Sequence, residues 1–587
     1  MVLTFAITAA YVTSFRGAFV FDDLHAIVEN PTIRDLGRLD RILLAPAEGG
    51  TIGGRPVVNL SLALNHAAGG LEPRGYHAVN LLVHVLAGLT LFGLVRRTLL
   101  RLPRFAADAL PLALAVAALW ALHPLQTSAV TYLVQRAESL MGLFYLLTLY
   151  CFVRGVDSPH MGGVLYPDSA ASNQSGNKNP PTQKHPRGWF ILSFICCLLG
   201  MGTKEVMASA PLLVLLYDRT FGAGSWREAW RQRGRFHGAL MGTWLLLAVL
   251  VLNTEGRGGS AGFGTAVTWW DYALTQCVAI TQYLRLVLWP HPLVFDYGAP
   301  LYRSLSAVGP QAALLLLLIV ATGWALIRKP ALGFLGAWFF LILAPSSSFV
   351  PVATQTMAEH RLYLPLAAGL MLLGLAAHTL ASRRAVVVLF ALAAGAGVMT
   401  ARRNLVYQSE LTLWTDTVAH RPENPRAHTN LGIALVEAGR LPEAVSRFED
   451  ALSLDPDNAP THLNLAHTLV ALDRREEAIP HYSAVLRLAP DDARDAPERL
   501  AAVCYDLGNQ AAARGGFEEA MTRYRQALAA VPGHVAARNN LANALLVTGR
   551  VDEAIAEYRE VLRTKPDAPQ VRDNLARALE LARAPRR

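Results

Sequence analysis

Long apolar stretches separated by short polar ones occupy roughly the first two thirds of the chain. Each stretch has about 15 to 20 residues, close to the length that an α-helix needs to cross a bilayer. The pattern predicts an all-α membrane domain of about 11 transmembrane helices over residues 1–403. We expect the first helix to be retained, because no small-residue cleavage site precedes a soluble domain. The stretches lie near residues 3–19, 77–95, 107–123, 138–153, 188–203, 205–217, 236–253, 309–327, 331–345, 361–379 and 384–400.

The pattern changes after residue 403, where prolines recur at intervals of 34 residues. Each interval carries a small residue, then an alanine, then an aromatic residue four positions later, which is the tetratricopeptide pattern of paired helices. The interval from Pro490 to Pro532 is longer by eight residues, and Trp414 marks a partial repeat before the first complete one. We expect a tetratricopeptide domain over 404–587, with repeats near 423–456, 457–490, 499–532 and 533–566 and a cap helix at 567–585.

Arginine and lysine cluster in alternate loops between the apolar stretches, and such loops stay in the cytoplasm. An odd number of spans then places the repeats on the outer side. Residues 272–290 are apolar but contain Arg285, so we expect an interfacial or re-entrant helix there. Residues 157–187 are rich in Ser, Asn, Gly and Pro and are predicted to be a disordered cytoplasmic loop. The loops predicted to face outward are 20–76, 254–308 and 346–360.

The composition agrees with a bilayer as the main solvent. Hydrophobic residues make up 53% of the chain and charged residues 17%, with a mean hydropathy of +0.30, which is too apolar for a soluble protein of this size. From Leu405 onward there are 22 basic and 26 acidic residues, against 31 and 18 before it. The basic excess therefore belongs to the membrane half and indicates topology, not nucleic-acid binding. The five cysteines show neither metal-site nor disulfide-framework spacing.

Two carboxylates, Asp22 and Asp23, follow the first apolar stretch directly. A pair of this kind at a membrane boundary must be solvated, paired or used. One interpretation is an N-cap of a juxtamembrane helix. The other is a general base or a metal ligand in the first external loop.

A second polar group, Glu359-His360-Arg361, stands at the start of a later apolar stretch. Arg361 could hold a lipid phosphate by a two-pronged contact, with Glu359 fixing its orientation, or the two could form an ordinary interfacial ion pair. Further polar residues near or within the predicted spans together predict a polar cavity that opens outward. They are Arg55, His77, His84, His123, Gln135, Arg136, Lys204 and Glu205.

Seven segments carry a resemblance to a known family. They are FVFDDLHAIVENPTIRDL, GRPVVNLSLALNH, YHAVNLLVHVLAGL, ALHPLQTSAVTYLVQRAESLMGLFYLL, KEVMASAPLLVLLYD, YLRLVLWPHPLVFDYG and AEHRLYLPLAAGL. They resemble bacterial relatives of the transmembrane and tetratricopeptide repeat-containing O-mannosyltransferases, which in turn resemble the protein O-mannosyltransferases with the GT-C fold. The likeness covers nearly the whole chain.

The resemblance implies a polyprenyl-phosphate-linked sugar as donor and an inverting transfer to Ser or Thr of an exported protein. It makes Asp22 or Asp23, with Asp22 preferred, the base, and Arg361 a ligand of the departing phosphate together with Glu359 and His360; Arg55 and Arg136 are further expected donor-phosphate ligands. His360 is inserted relative to the family's Ala-Glu-Arg run. No cofactor is certain, and the Asp-Asp pair, in place of Asp-Glu, leaves a divalent metal open.

The repeats are expected to bind acceptor or partner protein in a concave groove. A row of polar side chains at equivalent positions could hydrogen-bond a peptide main chain, or could only contact neighbouring repeats. The alternative function is a non-catalytic membrane scaffold for envelope proteins. Abundant Arg, Ala and Leu with little Lys favours a bacterial inner membrane with the repeats in the periplasm. The row consists of Asn430, Asn464, Asp506 and Asn540.

Overall fold

The computed structural model divides the chain into two compact units, Met1–His420 and Arg421–Arg587. Within the residues that it describes, the chain is helical and has no β-strand, which confirms the prediction of an all-α fold. The described residues are 1–44, 52–157, 186–253, 267–348, 350–352 and 355–583. The predicted disordered loop 157–187 lies almost entirely outside them.

The first unit is built from apolar helices, as expected of a membrane protein. Among the described residues, five helices are long and apolar enough to cross a bilayer, and a sixth crossing arises if two helices bent by 50° are one span. The long helices are Pro73–Leu100, Leu133–Val156, Trp226–Leu252, Leu305–Arg328 and Arg383–Gln408; the bent pair is Ala109–Ala121 with Pro124–Val130; the shorter apolar helices are Val2–Arg16, Arg187–Met201, Pro330–Leu343 and Pro365–Ala381.

Of the about 11 expected spans, five coincide with the long helices, one with the bent pair and four with the shorter apolar helices, so the exact count stays a prediction. The apolar stretch predicted at 205–217 begins as a 3-10 helix at Glu205–Ser209, continues as the α-helix Ala210–Tyr217 and ends as a π-helix at Asp218–Gly222. The α-helical part has only 8 residues, and a bilayer core needs about 20. Together the three parts keep Glu205–Gly222 helical, with a backbone geometry that changes twice, and whether this stretch crosses the bilayer stays a prediction.

Close packing around Tyr363 joins several of these helices. The Trp120 indole N–H donates to the Tyr363 carbonyl at 2.8 Å, and the Tyr363 hydroxyl lies 2.9 Å from Nδ1 of His84. Gly142 faces the Tyr363 ring so closely that a Cβ would collide with it. Small and aromatic residues thus let the helices approach, as they do in other membrane bundles.

The helix Glu410–His420, predicted as part of the repeat domain from residue 404, lies in the first unit. The Trp414 ring is buried and meets the rings of Phe21 and Phe295 edge-on, each at 5.3 Å between centroids. Arg403 also forms an ion pair with Asp416 of this helix. These contacts place the division between the units after His420.

The segment predicted as interfacial or re-entrant is the helix Trp269–Leu288. Its tyrosines 272 and 283 are buried, whereas Trp269 and Trp270 at its start are exposed. Whether it lies in the interface or enters the bilayer stays a prediction.

The second unit is a series of antiparallel helix pairs, as the repeat pattern predicted. Aromatic residues fill the space left by small ones: a Cβ on Gly432 would lie 2.5 Å from Phe448, and one on Gly508 2.6 Å from Tyr524. The eight inserted residues form a short 3-10 turn and lengthen the next helix. The helices are Pro425–Glu437, Leu441–Leu454, Ala459–Ala471, Arg475–Leu488, Ala496–Ala513, Phe517–Ala530, Val535–Val547, Val551–Thr564 and Pro569–Arg583.

Candidate active site

The loop that carries the acidic pair has an unusual backbone held from a distant helix. Phe21 has a φ of +50°, a conformation that bulky residues rarely adopt. Its amide donates to Oε1 of Glu410 at 2.8 Å, and its ring packs against Phe295 and Trp414. The hydrogen bond and the ring contacts stabilise this conformation, which sets the direction of the next residue, Asp22.

The two carboxylates of the pair have different surroundings. Asp23 is fully buried and accepts hydrogen bonds from the amides of Val20 at 3.1 Å and Val134 at 2.7 Å. Burial raises the pKa of Asp23 to about 8, against the lowering effect of those two amides. Asp22 is only half-buried, and its own amide donates to the Tyr132 hydroxyl at 3.0 Å. Asp23 therefore stabilises the loop through buried hydrogen bonds, and Asp22 is the more accessible carboxylate.

A cluster of buried charges, which we call the cationic cluster, contains Arg55, Lys204 and Arg361 together with Glu138 and Glu205. Lys204 forms an ion pair with Glu138, and Arg55 lies 3.7 Å from Glu205. Burial of these groups is nearly complete except at Glu205. With three cations and two carboxylates, the cluster carries one positive charge in excess.

His360 lies within the field of the cationic cluster. Burial, followed by the positive charges of Lys204, Arg361 and Arg55, holds the pKa of His360 well below its ordinary value. The imidazole is therefore neutral near pH 7, so one ring nitrogen can donate a hydrogen bond and the other can accept one. The structure thus brings together three of the predicted phosphate ligands: Arg55, His360 and Arg361.

Arg361 is anchored by the chain segment that precedes it. Its guanidinium donates to the carbonyls of Thr356 at 3.1 Å and Gln355 at 2.5 Å, and to the hydroxyl of Tyr272 at 3.3 Å. A contact of 3.4 Å to the Ser347 hydroxyl completes the set. In this conformation Arg361 contributes its charge to the cluster, while its N–H groups are largely engaged by protein.

Glu359 does not take the place that we predicted for it beside Arg361. Its Oε1 accepts from the Val294 amide at 2.6 Å and from the Tyr297 hydroxyl at 3.0 Å. Burial raises the pKa of Glu359 to about 7, against the lowering effect of Arg403. The 3-10 turn over Glu359–Leu362 points successive side chains in different directions, so neighbours in sequence are not partners in space.

Arg136 forms its hydrogen bonds with residues that do not belong to the cationic cluster. Its guanidinium donates to the side-chain oxygens of Asn80 at 2.6 Å and Asn65 at 2.8 Å, and to the carbonyls of Ser61 and Tyr76. The residue is fully buried. These five residues form a structural link between three helices, and the sequence position alone did not distinguish this role from phosphate binding.

The start of the helix Arg136–Val156 connects the acidic loop with the cationic cluster. Val134, just before this helix, donates its amide to Asp23, and Glu138 on the first turn binds Lys204. Neither Glu138 nor Glu410 is among the predicted site residues, although a carboxylate at the start of an apolar span was a usable signal for Glu138. For Glu410 the sequence held no signal, because its contact spans 389 residues.

The polar row predicted for the repeat groove has mixed environments. Asn430 and Asn464 are partly exposed, and Asp506 is exposed. Asn540 donates to Asn509 of the preceding repeat at 2.8 Å and to Tyr505 at 3.3 Å. At Asn540 the side chain therefore contacts a neighbouring repeat, which was the alternative interpretation of the row.

The described residues contain no group of three or more His, Cys, Asp or Glu side chains that could hold a metal ion. The acidic pair alone supplies two carboxylates, and both oxygens of Asp23 already accept backbone hydrogen bonds.

Comparisons with known proteins agree with these two parts. Family models described as "Tetratricopeptide repeat" match residues 435–496 and 505–569. Protein O-mannosyl-transferase Tmtc1 of Drosophila melanogaster is 26% identical over 540 residues, covering 74% of this chain and 59% of that protein. A protein O-mannosyl-transferase of Caenorhabditis elegans is 24% identical over 466 residues, covering 76% of this chain and 61% of that protein.

Among solved structures, the crystal structure of YrrB, described as a TPR protein with an unusual peptide-binding site, is 18% identical. The match covers 29% of this chain and 83% of that one, with a TM-score of 0.21. The chain spans about three fifths of the length of the two curated relatives above. It is thus a helical membrane protein with tetratricopeptide repeats whose homologues, at 24–26% identity across most of the chain, are named protein O-mannosyl-transferases.

Proposed function

We propose that this protein is a GT-C-type membrane glycosyltransferase that moves a mannose-like sugar from a polyprenyl phosphate to Ser or Thr of exported proteins. The observation that carries the proposal is that the start of one helix contacts both the loop that bears the accessible Asp22 and the buried cationic cluster. A transfer from a phosphate-linked sugar needs both a base for the acceptor and positive charge for the leaving phosphate.

In the proposed reaction the Asp22 carboxylate takes the proton of the acceptor hydroxyl. The hydroxyl oxygen forms a bond to the anomeric carbon as the bond from that carbon to the phosphate oxygen breaks. The bonding electron pair leaves with the polyprenyl phosphate, and attack from the opposite face inverts the configuration. Base catalysis of this kind contributes about 10² to 10⁴ in rate.

The cationic cluster supports the departure of the phosphate. Charge that grows on the phosphate oxygens in the transition state is stabilised by fixed cations in a site that excludes water. Arg55 and Lys204 supply these charges, and the anchoring of Arg361 by backbone carbonyls keeps its charge in position. The neutral His360 can hydrogen-bond a phosphate oxygen without adding charge.

The acceptor side of the proposal rests on the loop arrangement and the repeats. Arginine-rich loops alternate with the loops that carry the acidic pair and Arg361, so the positive-inside rule puts this site outside the cytoplasm. Tetratricopeptide repeats bind peptides in their concave groove, and Asn430 and Asn464 are partly exposed for such a role. We place the protein in a bacterial inner membrane, with the repeats in the periplasm.

The experiment is transfer of radiolabelled mannose from polyprenyl-phosphate-mannose to exported proteins in membranes that contain the full chain. The double variant Asp22→Asn with Asp23→Asn is compared with Asp35→Asn with Asp40→Asn, which removes two exposed carboxylates from the same loop. Loss of transfer in the first variant alone, at equal protein level, supports the proposal. Equal transfer in all three proteins, or none in the wild type, refutes it and favours a scaffold.

A further inference from the structure

A second basic site lies away from the candidate active site, between the start of one helix and the middle of another. A cavity of about 550 Å³ opens between the helix Pro186–Met201 and the arginine-rich helix Trp226–Gly242. We call it the arginine cavity. Its lining is basic and aromatic: Arg187, Phe190, Ile191, Trp230, Arg231, Gln232, Arg233, Gly234, Arg235 and Phe236.

The charges of the arginine cavity are only partly neutralised within the protein. Arg233 is buried and binds Asp218 through both Nε and Nη2, and Arg231 binds Glu228 at 2.7 Å. Arg187 and Arg235 are exposed, and neither forms an ion pair with any residue that the structure describes. Among the described residues, these two positive charges of the cavity thus have no acidic partner, which favours an anionic ligand.

Apolar surface continues from the cavity along one helix. The Phe190 and Phe236 rings meet at 5.0 Å between centroids, and the Trp230 ring lies over Gly234. Beyond Phe190, the helix Pro186–Met201 exposes a row of aliphatic side chains. The exposed aliphatic residues are Ile191, Leu192, Ile195, Leu198 and Leu199.

The helix Trp226–Gly242 also has the make-up of an element at the surface of a bilayer. Trp226 and Trp230 are exposed, at 49% and 44% of their surface, and tryptophans of this kind sit at the level of lipid headgroups. Its continuation, the apolar helix Trp244–Leu252, contains no buried residue. The cavity thus lies where a basic headgroup site adjoins a surface that suits acyl chains.

We propose that the arginine cavity binds an acidic phospholipid. Arg187 and Arg235, assisted by Arg231, hold the phosphate of the headgroup, and the acyl chains lie along the aliphatic row of the helix Pro186–Met201. The positive charges of the arginines favour an anionic headgroup over a neutral one. The aliphatic row favours a lipid over a free phosphate, because only a lipid has acyl chains that can pack on it. This site is independent of the proposed sugar transfer.

The experiment is native mass spectrometry of the full chain in detergent, titrated separately with dioleoylphosphatidylglycerol and dioleoylphosphatidylcholine. We expect tighter binding of phosphatidylglycerol by at least about tenfold, since each nearby basic residue contributes about fivefold. The variant Arg187→Gln with Arg235→Gln should lose that preference. Arg227→Gln removes an exposed charge from the same helix outside the cavity and should keep it.

Three outcomes overturn the proposal: equal binding of the two lipids, an equal loss in Arg227→Gln, or displacement of phosphatidylglycerol by millimolar glycerol phosphate. If the double variant does not fold, the wild type still decides the question. Its preference for phosphatidylglycerol must fall steeply between about 0.05 and 0.5 M NaCl, because exposed charges are screened over that range. A preference that is insensitive to salt also overturns the proposal.

Discussion

At the scale of single residues, the most informative contrast is between the neighbouring carboxylates Asp22 and Asp23. Asp23 is buried with two amides donating to its oxygens, whereas Asp22 is half-buried. The two side chains are chemically identical, but their surroundings in the folded protein differ. The sequence could predict the pair and not the division of roles, because that division depends on Val134, which lies 111 residues away.

The two roles predict different effects of two single substitutions. Asp22→Asn should lower the rate of sugar transfer by about 10² or more, because the proposed base is lost, and leave the thermal midpoint nearly unchanged. Asp23→Asn should instead lower the thermal midpoint. One of the two buried carboxylate oxygens becomes an NH₂ group, which cannot accept the hydrogen bond from the backbone amide that faces it. Initial rates and thermal unfolding of the purified proteins measure both. A fully active Asp22→Asn protein would contradict the assignment.

A second prediction at this scale concerns pH. Burial raises the pKa of Glu359 from an ordinary 4.5 to about 7. A carboxylate whose pKa is raised by folding stabilises the folded state fully below pH 4.5, and this contribution is lost as pH rises through about 7. The thermal midpoint should therefore fall over that window. Glu359→Gln, which cannot ionise, should flatten the fall.

A control variant distinguishes the titration of Glu359 from that of the other carboxylates in the protein. Glu72→Gln alters an exposed carboxylate of the first unit and should keep the wild-type dependence on pH. If Glu359→Gln and Glu72→Gln show the same slope between pH 4.5 and 7, Glu359 does not titrate in the predicted way.

At the scale of elements, the helix Glu410–His420 acts as a support for the acidic loop. Glu410 accepts the amide hydrogen bond of Phe21, whose φ of +50° is strained, and Trp414 packs on its ring. Without these contacts the strained residue can relax toward ordinary backbone angles, at a gain of about 1–3 kcal/mol. The direction of Asp22 would change with it.

This arrangement predicts a rate effect from a residue that the proposed reaction does not touch. Glu410→Ala should lower the turnover of sugar transfer about tenfold and leave the KM for the donor unchanged, because only the acidic loop moves. Glu410→Gln keeps an oxygen that can accept from Phe21 and should restore most of the rate. A rise in donor KM with unchanged turnover would argue against this positioning role.

Comparison of the predicted and observed helices shows which sequence signals were sufficient to predict the fold. Apolar length predicted the membrane helices and the 34-residue period predicted the repeats, because each signal is local. At 205–217 the apolar composition predicted a helix but did not reveal that its backbone passes through 3-10, α and π geometry. The cationic cluster was only partly predictable. Arg55, Lys204 and Arg361 belong to distant segments, and their meeting is a product of tertiary packing.

At the scale of the whole molecule, the division into two units separates the proposed chemistry from the repeats. The first unit ends at His420 and contains the acidic loop, the cationic cluster and the helix Glu410–His420. Over residues 421–583, which the structure describes, the second unit contains four helix pairs and a final helix. The sequence placed the boundary near residue 404, because the partial repeat around Trp414 has repeat-like spacing; its packing on Phe21 and Phe295 assigns it to the first unit.

This division predicts opposite outcomes for two truncations that differ by 17 residues. A chain of residues 1–420 should fold and transfer sugar to a short Ser/Thr peptide at nearly the full rate, while transfer to folded exported proteins falls because the repeats are gone. A chain of residues 1–403 lacks Asp416, the partner of the buried Arg403, and exposes the rings that Trp414 covers. Its thermal midpoint should be lower by at least about 5 °C, given the cost of an unpaired buried charge, and its peptide transfer should be lost. Thermal unfolding in detergent and the peptide assay measure both chains; equal behaviour of the two would show that the helix Glu410–His420 is dispensable to the first unit.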